Sequence, residues 1–143
     1  MRVLFVCSGN ICRSPTAEAV LAHLAAERGA RVTVDGAGIG AWHVGEPPDR
    51  RSAAEAATRG VALRGVGRQV RALDFDDFDL LVAMDRTHER DLRRLAPDPE
   101  ARLRVRLLRE WDPADTADLD VPDPYYGGED GFRDVFDIIE RSC

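Results

Sequence analysis

This chain predicts an α/β fold: a four-stranded parallel, doubly wound sheet with helices on both faces. Three observations lead there. Short apolar runs rich in Val, Leu and Ile alternate with longer stretches of helical period. Gly29, Gly60 and Pro97 punctuate the helical stretches. The 143 residues are the size of one domain, 1–143, long enough to bury a core of its own.

Each element follows from its residues. Arg2–Val6 reads as a fully buried strand. Pro15–Arg28 reads as a helix with Ala17, Val20, Leu21 and Leu24 on one face, stopped at Gly29. Arg31–Asp35 is the second strand, followed by a glycine-rich turn, Gly36-Ala37-Gly38-Ile39-Gly40. Asp49–Arg59 is alanine-rich and helical. Leu80–Met84 gives a third strand, Thr87–Leu95 a helix ended before Pro97, and Arg104–Leu108 a fourth strand. A loop with two prolines and five aspartates runs from Asp112 to Asp123. The last helix, from about Glu129, carries Phe132, Val135, Phe136 and Ile139 at i, i+3, i+4 and i+7. In such sheets ligands bind at the carboxyl ends of the strands, beside the first strand.

Composition narrows the function. Net charge is −6, which argues against a general nucleic-acid binder. No stretch approaches membrane-spanning length, and the first apolar run is too short for a signal-peptide core, so a cytoplasmic location is expected. Three cysteines, two of them in one short loop, do not make a disulfide framework. His23, His43 and His88 lack metal-ligand spacing and read as surface or loop residues. Arg93-Arg94 and Arg102–Arg109 read as solvated faces and strand flanks.

The chemistry concentrates after the first strand. Val3-Leu4-Phe5-Val6 leads into Cys7-Ser8-Gly9-Asn10-Ile11-Cys12-Arg13-Ser14-Pro15. All 20 basic residues are arginine, so a Cys-x5-Arg spacing arises by chance roughly one time in four. Context makes it specific. A strand precedes it, Gly9 and Asn10 supply a turn, Ser14 is the expected N-cap, and Pro15 is suited to the first helical position. A phosphate-binding loop after strand 1 is the reading. Backbone N–H groups from Ser8 to Arg13 can cradle three oxygens at the positive end of a helix, and Arg13 can add a bidentate clamp. Helix N-termini and a nearby arginine also favour a thiolate, the form in which Cys7 attacks. Ser14 is placed to cap the helix, to donate to the sulfur, or both.

A leaving oxygen needs a proton, and the loop has no carboxylate. Asp123, in Val121-Pro122-Asp123-Pro124-Tyr125-Tyr126, lies between two prolines and before paired aromatics that can wall a pocket.

In three blocks the sequence resembles the low-molecular-weight protein tyrosine phosphatases. They are Val6–Pro15, the segment Gly40-Ala41-Trp42-His43-Val44-Gly45-Glu46-Pro47, and Asp123-Pro124-Tyr125-Tyr126-Gly127. The resemblance implies attack by Cys7 on phosphorus to give a phosphocysteine, with Arg13 holding the phosphoryl group. It implies that Asp123 acts first as acid on the phenol and then as base on water. Ser8, Gly9, Asn10, Ile11, Cys12 and Ser14 would bind the phosphate, and Trp42, Tyr125 and Tyr126 the ring. No metal or organic cofactor is implied. The partners implied are phosphotyrosine proteins, inorganic phosphate or a similar oxyanion, and a tyrosine kinase, with no nucleic acid and no membrane.

Departures from the family are Gly65 in place of a common histidine behind the loop, Ser8 in place of a leucine, and Gly36 in place of a serine. The family's final helix usually continues beyond the position of Cys143. A reversible Cys7–Cys12 disulfide is a further possibility.

Three other activities compete. Phosphoarginine hydrolases of similar sequence carry threonine at the position of Ile11 and lack the paired tyrosines. Arsenate reductases need further thiols, where this chain has Cys12 inside the loop and Cys143. A non-catalytic phospho-binding module would not need Cys7 and Asp123.

Overall fold

Val3, Leu4, Phe5 and Val6 are apolar at every position, so neither face of that strand tolerates water and both must be covered. In a computed structural model, which describes residues 1–114, 117–125 and 127–143, the strand is central. β1 (Arg2–Cys7) pairs in parallel with β2 (Thr33–Gly38) on one side and β3 (Leu80–Ala83) on the other, and β4 (Val105–Leu107) follows β3. The order β2-β1-β3-β4 is the expected doubly wound sheet. The chain steps outward from β1 to β2 and then crosses back to β3. That reversal opens a crevice at the carboxyl end of β1, where Cys7 leads into the phosphate loop.

Alternating side chains feed two cores. Val3, Phe5 and Val82 pack against Ala17 and Val20 of α1 (Arg13–Arg28), Ala56 of α2 (Arg50–Thr58), and Val135, Phe136 and Ile139 of α6 (Glu129–Ser142). Leu4, Val6, Leu81 and Val105 pack on the other face against Phe75 of α3 (Asp74–Asp77), Leu92 of α4 (Arg86–Leu95) and Ala101 of α5 (Pro99–Arg102). Burying a side chain such as Phe136 or Ile139 stabilises by about 1.5–3 kcal/mol.

Among the boundaries that differ from the sequence reading, two lie beside the phosphate loop. α1 starts at Arg13 rather than Pro15. Cys12 occupies the N-cap without a side-chain bond, so Ser14 is not the cap. β2 continues through Gly36-Ala37-Gly38, which pair with Phe5, Val6 and Cys7, instead of turning at Gly36. The glycines serve close approach: a Cβ on Gly38 would stand 2.9 Å from the Gly9 carbonyl carbon and 3.0 Å from Ser8 O. The four-residue helices α3 and α5 and a 3₁₀ turn at Leu108–Trp111 are single turns, too short to show a period. Arg109 is buried, not solvated. It bonds the Asp120 carbonyl at 2.9 Å and Asp112 at 3.2 Å, and Asp112 also takes Arg141.

Behind the loop, Glu18 of α1 lies half-buried beside Gly36 and Asp35, while Arg68 pairs with Asp35 at 3.0 Å and Asp74 at 3.1 Å. Burial first, then Asp35, push the Glu18 carboxyl up to about 7, against the pull of Arg68. The folded protein therefore keeps a proton that the unfolded chain releases between about 4.5 and 7. The associated stability falls as pH rises through that window. Glu18→Gln is expected to be more stable than the wild type above pH 7, with the gain vanishing towards pH 4.5, in urea unfolding across pH. Gly38→Ala is expected to lose about 1–3 kcal/mol, because a backbone, not a flexible side chain, must yield. An unchanged urea midpoint would contradict that packing.

Candidate active site

The loop is held from outside, which turns its amides inward. Carbonyl oxygens of Cys7, Ser8 and Ile11 accept from the N–H groups of Ile39, Gly40 and Asp49 at 2.9, 3.0 and 2.7 Å. The Cys12 carbonyl accepts from the Thr16 hydroxyl at 2.8 Å. With their carbonyls engaged behind, the loop N–H groups face the cup at the N-terminus of α1, where the helix dipole favours an anion. Asn10 takes a left-handed φ of 59°, the one positive value at a non-glycine among the described residues. That costs conformational energy and is characteristic of functional loops. It brings the Asn10 N–H to 3.3 Å from Cys7 Sγ.

Ser14 lies 3.0 Å from the same sulfur and donates its hydroxyl hydrogen to Asn10 Oδ1 at 2.8 Å, while Asn10 Nδ2 donates to the Gly36 carbonyl. A hydroxyl has one hydrogen, so in this arrangement a thiol at Cys7 is the donor to Ser14. Once the sulfur is ionised, the Ser14 hydrogen can swing to it. Gly65, with φ of 80° and open space where a Cβ would stand, supplies no side chain to this network. Asn10 and Gly36 O orient it instead.

Arg13 is buried at the floor. Its Nη1 donates to Asp85 Oδ2 and to the Val121 carbonyl, both at 2.9 Å. Nη2 donates to Ser8 Oγ at 3.3 Å and lies 3.7 Å from Asp123 Oδ2. The end of the fork is thus committed to protein, and its Nε–Nη2 side is the edge left for a bidentate oxyanion. Asp123 stands at the rim, partly exposed, with Oδ1 accepting from the Tyr125 N–H at 3.0 Å.

Cys7, Arg13 and Asp123 line an open cleft of about 370 Å³ with Ser8, Gly9, Ile11, Cys12, Trp42, His43 and Tyr125, while Asn10 and Ser14 lie behind it. Cys7 and Arg13, predicted from one loop, and Asp123, predicted from a distant segment, meet there. Trp42 is exposed and Tyr125 half-buried against Ile11, Cys12 and Phe132. Tyr126 lies outside the described residues. Cys12 is a buried neighbour of Cys7. Burial, with Asp49 adding, pushes its thiol up to about 12, so it stays protonated.

Three site residues, His88, His43 and Asp85, escaped the sequence reading. His88, expected at the surface, is buried, with Nε2 at 2.8 Å from Ser8 Oγ. His43 does lie in a loop, but it lines the cleft and pairs with Glu46. Asp85 caps α4 through the His88 N–H at 3.0 Å while holding Arg13. Burial works against the Asp85 charge, yet the His88 N–H and Arg13 keep its carboxyl below the usual range. A signal was present: Asp85 opens a helical segment after a strand, and His88 shares a face with Leu92, four residues on.

Known proteins share this fold. The chain matches the low molecular weight phosphotyrosine protein phosphatase family over residues 2–143. It is 50% identical to a low molecular weight protein-tyrosine-phosphatase of Streptomyces coelicolor, across 99% of this chain and 88% of that one. A protein tyrosine phosphatase from Entamoeba histolytica, solved with Hepes in its active site, superposes with a TM-score of 0.95 at 36% identity, covering 100% of this chain and 92% of that one. A Drosophila arginine phosphatase superposes with a TM-score of 0.93 at 37% identity, covering 100% and 93%. By fold, by loop and by near full-length similarity, this chain belongs to the low-molecular-weight phosphotyrosine protein phosphatase family.

Proposed function

We propose that the protein hydrolyses phosphotyrosine monoesters on protein substrates through a phosphocysteine intermediate. The observation that carries this reading is the convergence of Cys7 Sγ, the buried Arg13 fork and the Asp123 carboxyl on one cleft. The loop amides and the free edge of Arg13 hold the three non-bridging oxygens. Cys7 thiolate attacks phosphorus opposite the ester oxygen, so an S–P bond forms as the O–P bond breaks. Asp123 gives its proton to the departing phenolate. In the second step Asp123 takes a proton from water, which attacks the phosphocysteine. The S–P bond breaks and inorganic phosphate leaves, regenerating the thiolate. The charge that develops on the equatorial oxygens is met by preorganised N–H dipoles and the guanidinium.

The walls favour an aromatic ester. Ile11, Trp42 and Tyr125 present apolar surface above the cup, suited to a phenyl ring. Protein tyrosine phosphorylation is then the reaction that supplies the substrate. Phosphoarginine, the alternative suggested by the Drosophila relative, would set a charged guanidino group against the same walls. Side-by-side kcat/KM values on peptides carrying either residue are expected to favour phosphotyrosine, and a preference for phosphoarginine would overturn the assignment.

Cys7→Ser is expected to abolish turnover while leaving the loop able to bind phosphate. Asp123→Asn should lower kcat on phosphotyrosine by about 10²–10⁴, with a smaller loss on esters of acidic phenols that depart without a proton. Equal losses along a leaving-group series would remove Asp123 from the role of acid.

A further inference from the structure

Beside the oxyanion cup lies a polar cluster that the hydrolytic steps above do not use. His88, 2% exposed, reaches from the first turn of α4 to the residue that follows the nucleophile, with Nε2 at 2.8 Å from Ser8 Oγ. Ser8 Oγ accepts from Arg13 Nη2 at 3.3 Å, and that nitrogen is itself 3.5 Å from His88 Nε2. The other ring nitrogen, Nδ1, stands 3.2 Å from Asp85 Oδ1 but out of line for a hydrogen bond. It has no hydrogen-bond partner among the described residues.

These contacts fix the protons. A lone pair on Nδ1 would face a carboxylate, so the ring hydrogen belongs on Nδ1 and Nε2 is the acceptor. Ser8 already accepts from Arg13 and therefore sends its own hydrogen to Nε2. The charged groups facing the ring are Arg13, Asp85, Asp91 and Asp123. Burial first, then Arg13, lower the ring to about 4 against the pull of the carboxylates, which keeps it uncharged at neutral pH. A protonated ring would turn Nε2 into a donor and set a second cation beside the guanidinium. The arrangement works only with a neutral imidazole.

Resting on the phosphatase reading, we propose that His88 is a positioning residue for Arg13 and acts through the Ser8 hydroxyl. By drawing the Ser8 hydrogen away, it presents the Ser8 oxygen to Nη2. The guanidinium is then braced on one side by Asp85 and Val121 and on the other by Ser8, with its Nε edge towards the oxyanion. Neither the Ser8 hydroxyl nor the His88 ring touches the reacting atoms in this scheme. Ser8, read from the sequence as a phosphate-binding residue of the loop, becomes the link through its hydroxyl.

The test is calorimetric titration with inorganic phosphate, alongside kcat and KM for 4-nitrophenyl phosphate. The proteins are wild type, Ser8→Ala, His88→Ala, His88→Gln and the Ser8→Ala/His88→Ala double variant. Each alanine variant is expected to bind phosphate about tenfold more weakly, the range for losing a hydrogen bond to a charged group. Because the two residues act in series, the double variant should lose no more than either single one. Glutamine, whose Oε1 can accept the same bond, should restore most of the affinity. Unchanged phosphate affinity in Ser8→Ala, or losses that multiply in the double variant, would overturn the proposal. So would a glutamine variant as weak as alanine at an unchanged melting temperature. Should His88→Ala fail to fold, Ser8→Ala and His88→Gln decide by the same criteria. Absence of 4-nitrophenyl phosphate turnover by the wild type would instead defeat the phosphatase reading, while phosphate binding still reports on His88.

Discussion

A guanidinium at 3% exposure is the constraint on which the site is built. Removing one cation from water costs several kcal/mol even after relaxation, so Arg13 must be met by charge and by hydrogen bonds together. It is met by Asp85 at the start of α4, the Val121 carbonyl and the Ser8 hydroxyl, with Asp123 at the rim. Those partners come from the loop after β1, the turn after β3, and the Val121–Asp123 segment. One buried charge therefore ties together the two sides of the crevice that the strand order opens. Removing the charged partner of a buried ion pair typically costs about 3–5 kcal/mol, so Asp85 is the partner this guanidinium can least lose.

The second constraint is steric. For loop carbonyls to be held by Ile39, Gly40 and Asp49, the end of β2 must lie almost against the Ser8–Gly9 peptide. Gly38 permits that approach, and the parallel ladder carries β2 as far as Gly38 to make it. Asn10 in the left-handed region completes the turn. Sheet pairing, glycine content and loop curvature are thus one decision, and its product is a row of amides with nowhere to point except inward.

How much of this the residues disclose depends on the range of the interaction. β1, the loop and the direction of the last helix are written in contiguous patterns: an apolar run, a turn, and Phe132, Val135, Phe136 and Ile139 at helical spacing, all buried as read. The extension of β2 through three residues that include two glycines was not legible. Local propensity there favours a turn, and pairing with β1 overrides it. Ser14 has the chemistry of an N-cap, but its hydroxyl is used by Asn10 one turn earlier, so Cys12 takes the cap position. His88 was missed for a different reason. Its partners Ser8 and Arg13 are 80 and 75 residues away, and no spacing rule spans such distances. Its helical face, shared with Leu92, was the available clue.

Several features that oppose folding gather at one place. The left-handed Asn10, the half-buried Glu18 beside Asp35, the His88 ring nitrogen with no hydrogen bond among the described residues, and the sunken Arg13 all adjoin the phosphate loop. The far ends of the strands, by contrast, carry ordinary aliphatic packing. Local inconsistency of this kind is expected where a site is shaped for a ligand rather than for stability. Each feature here has a specific reason: Asn10 brings an amide to the sulfur, His88 frees an oxygen for the guanidinium, and Arg13 gives up water so that its charge acts at low dielectric. An oxyanion entering the cup meets donors whose orientation was already fixed by folding, so little reorganisation remains for the moment when charge develops on the phosphoryl oxygens.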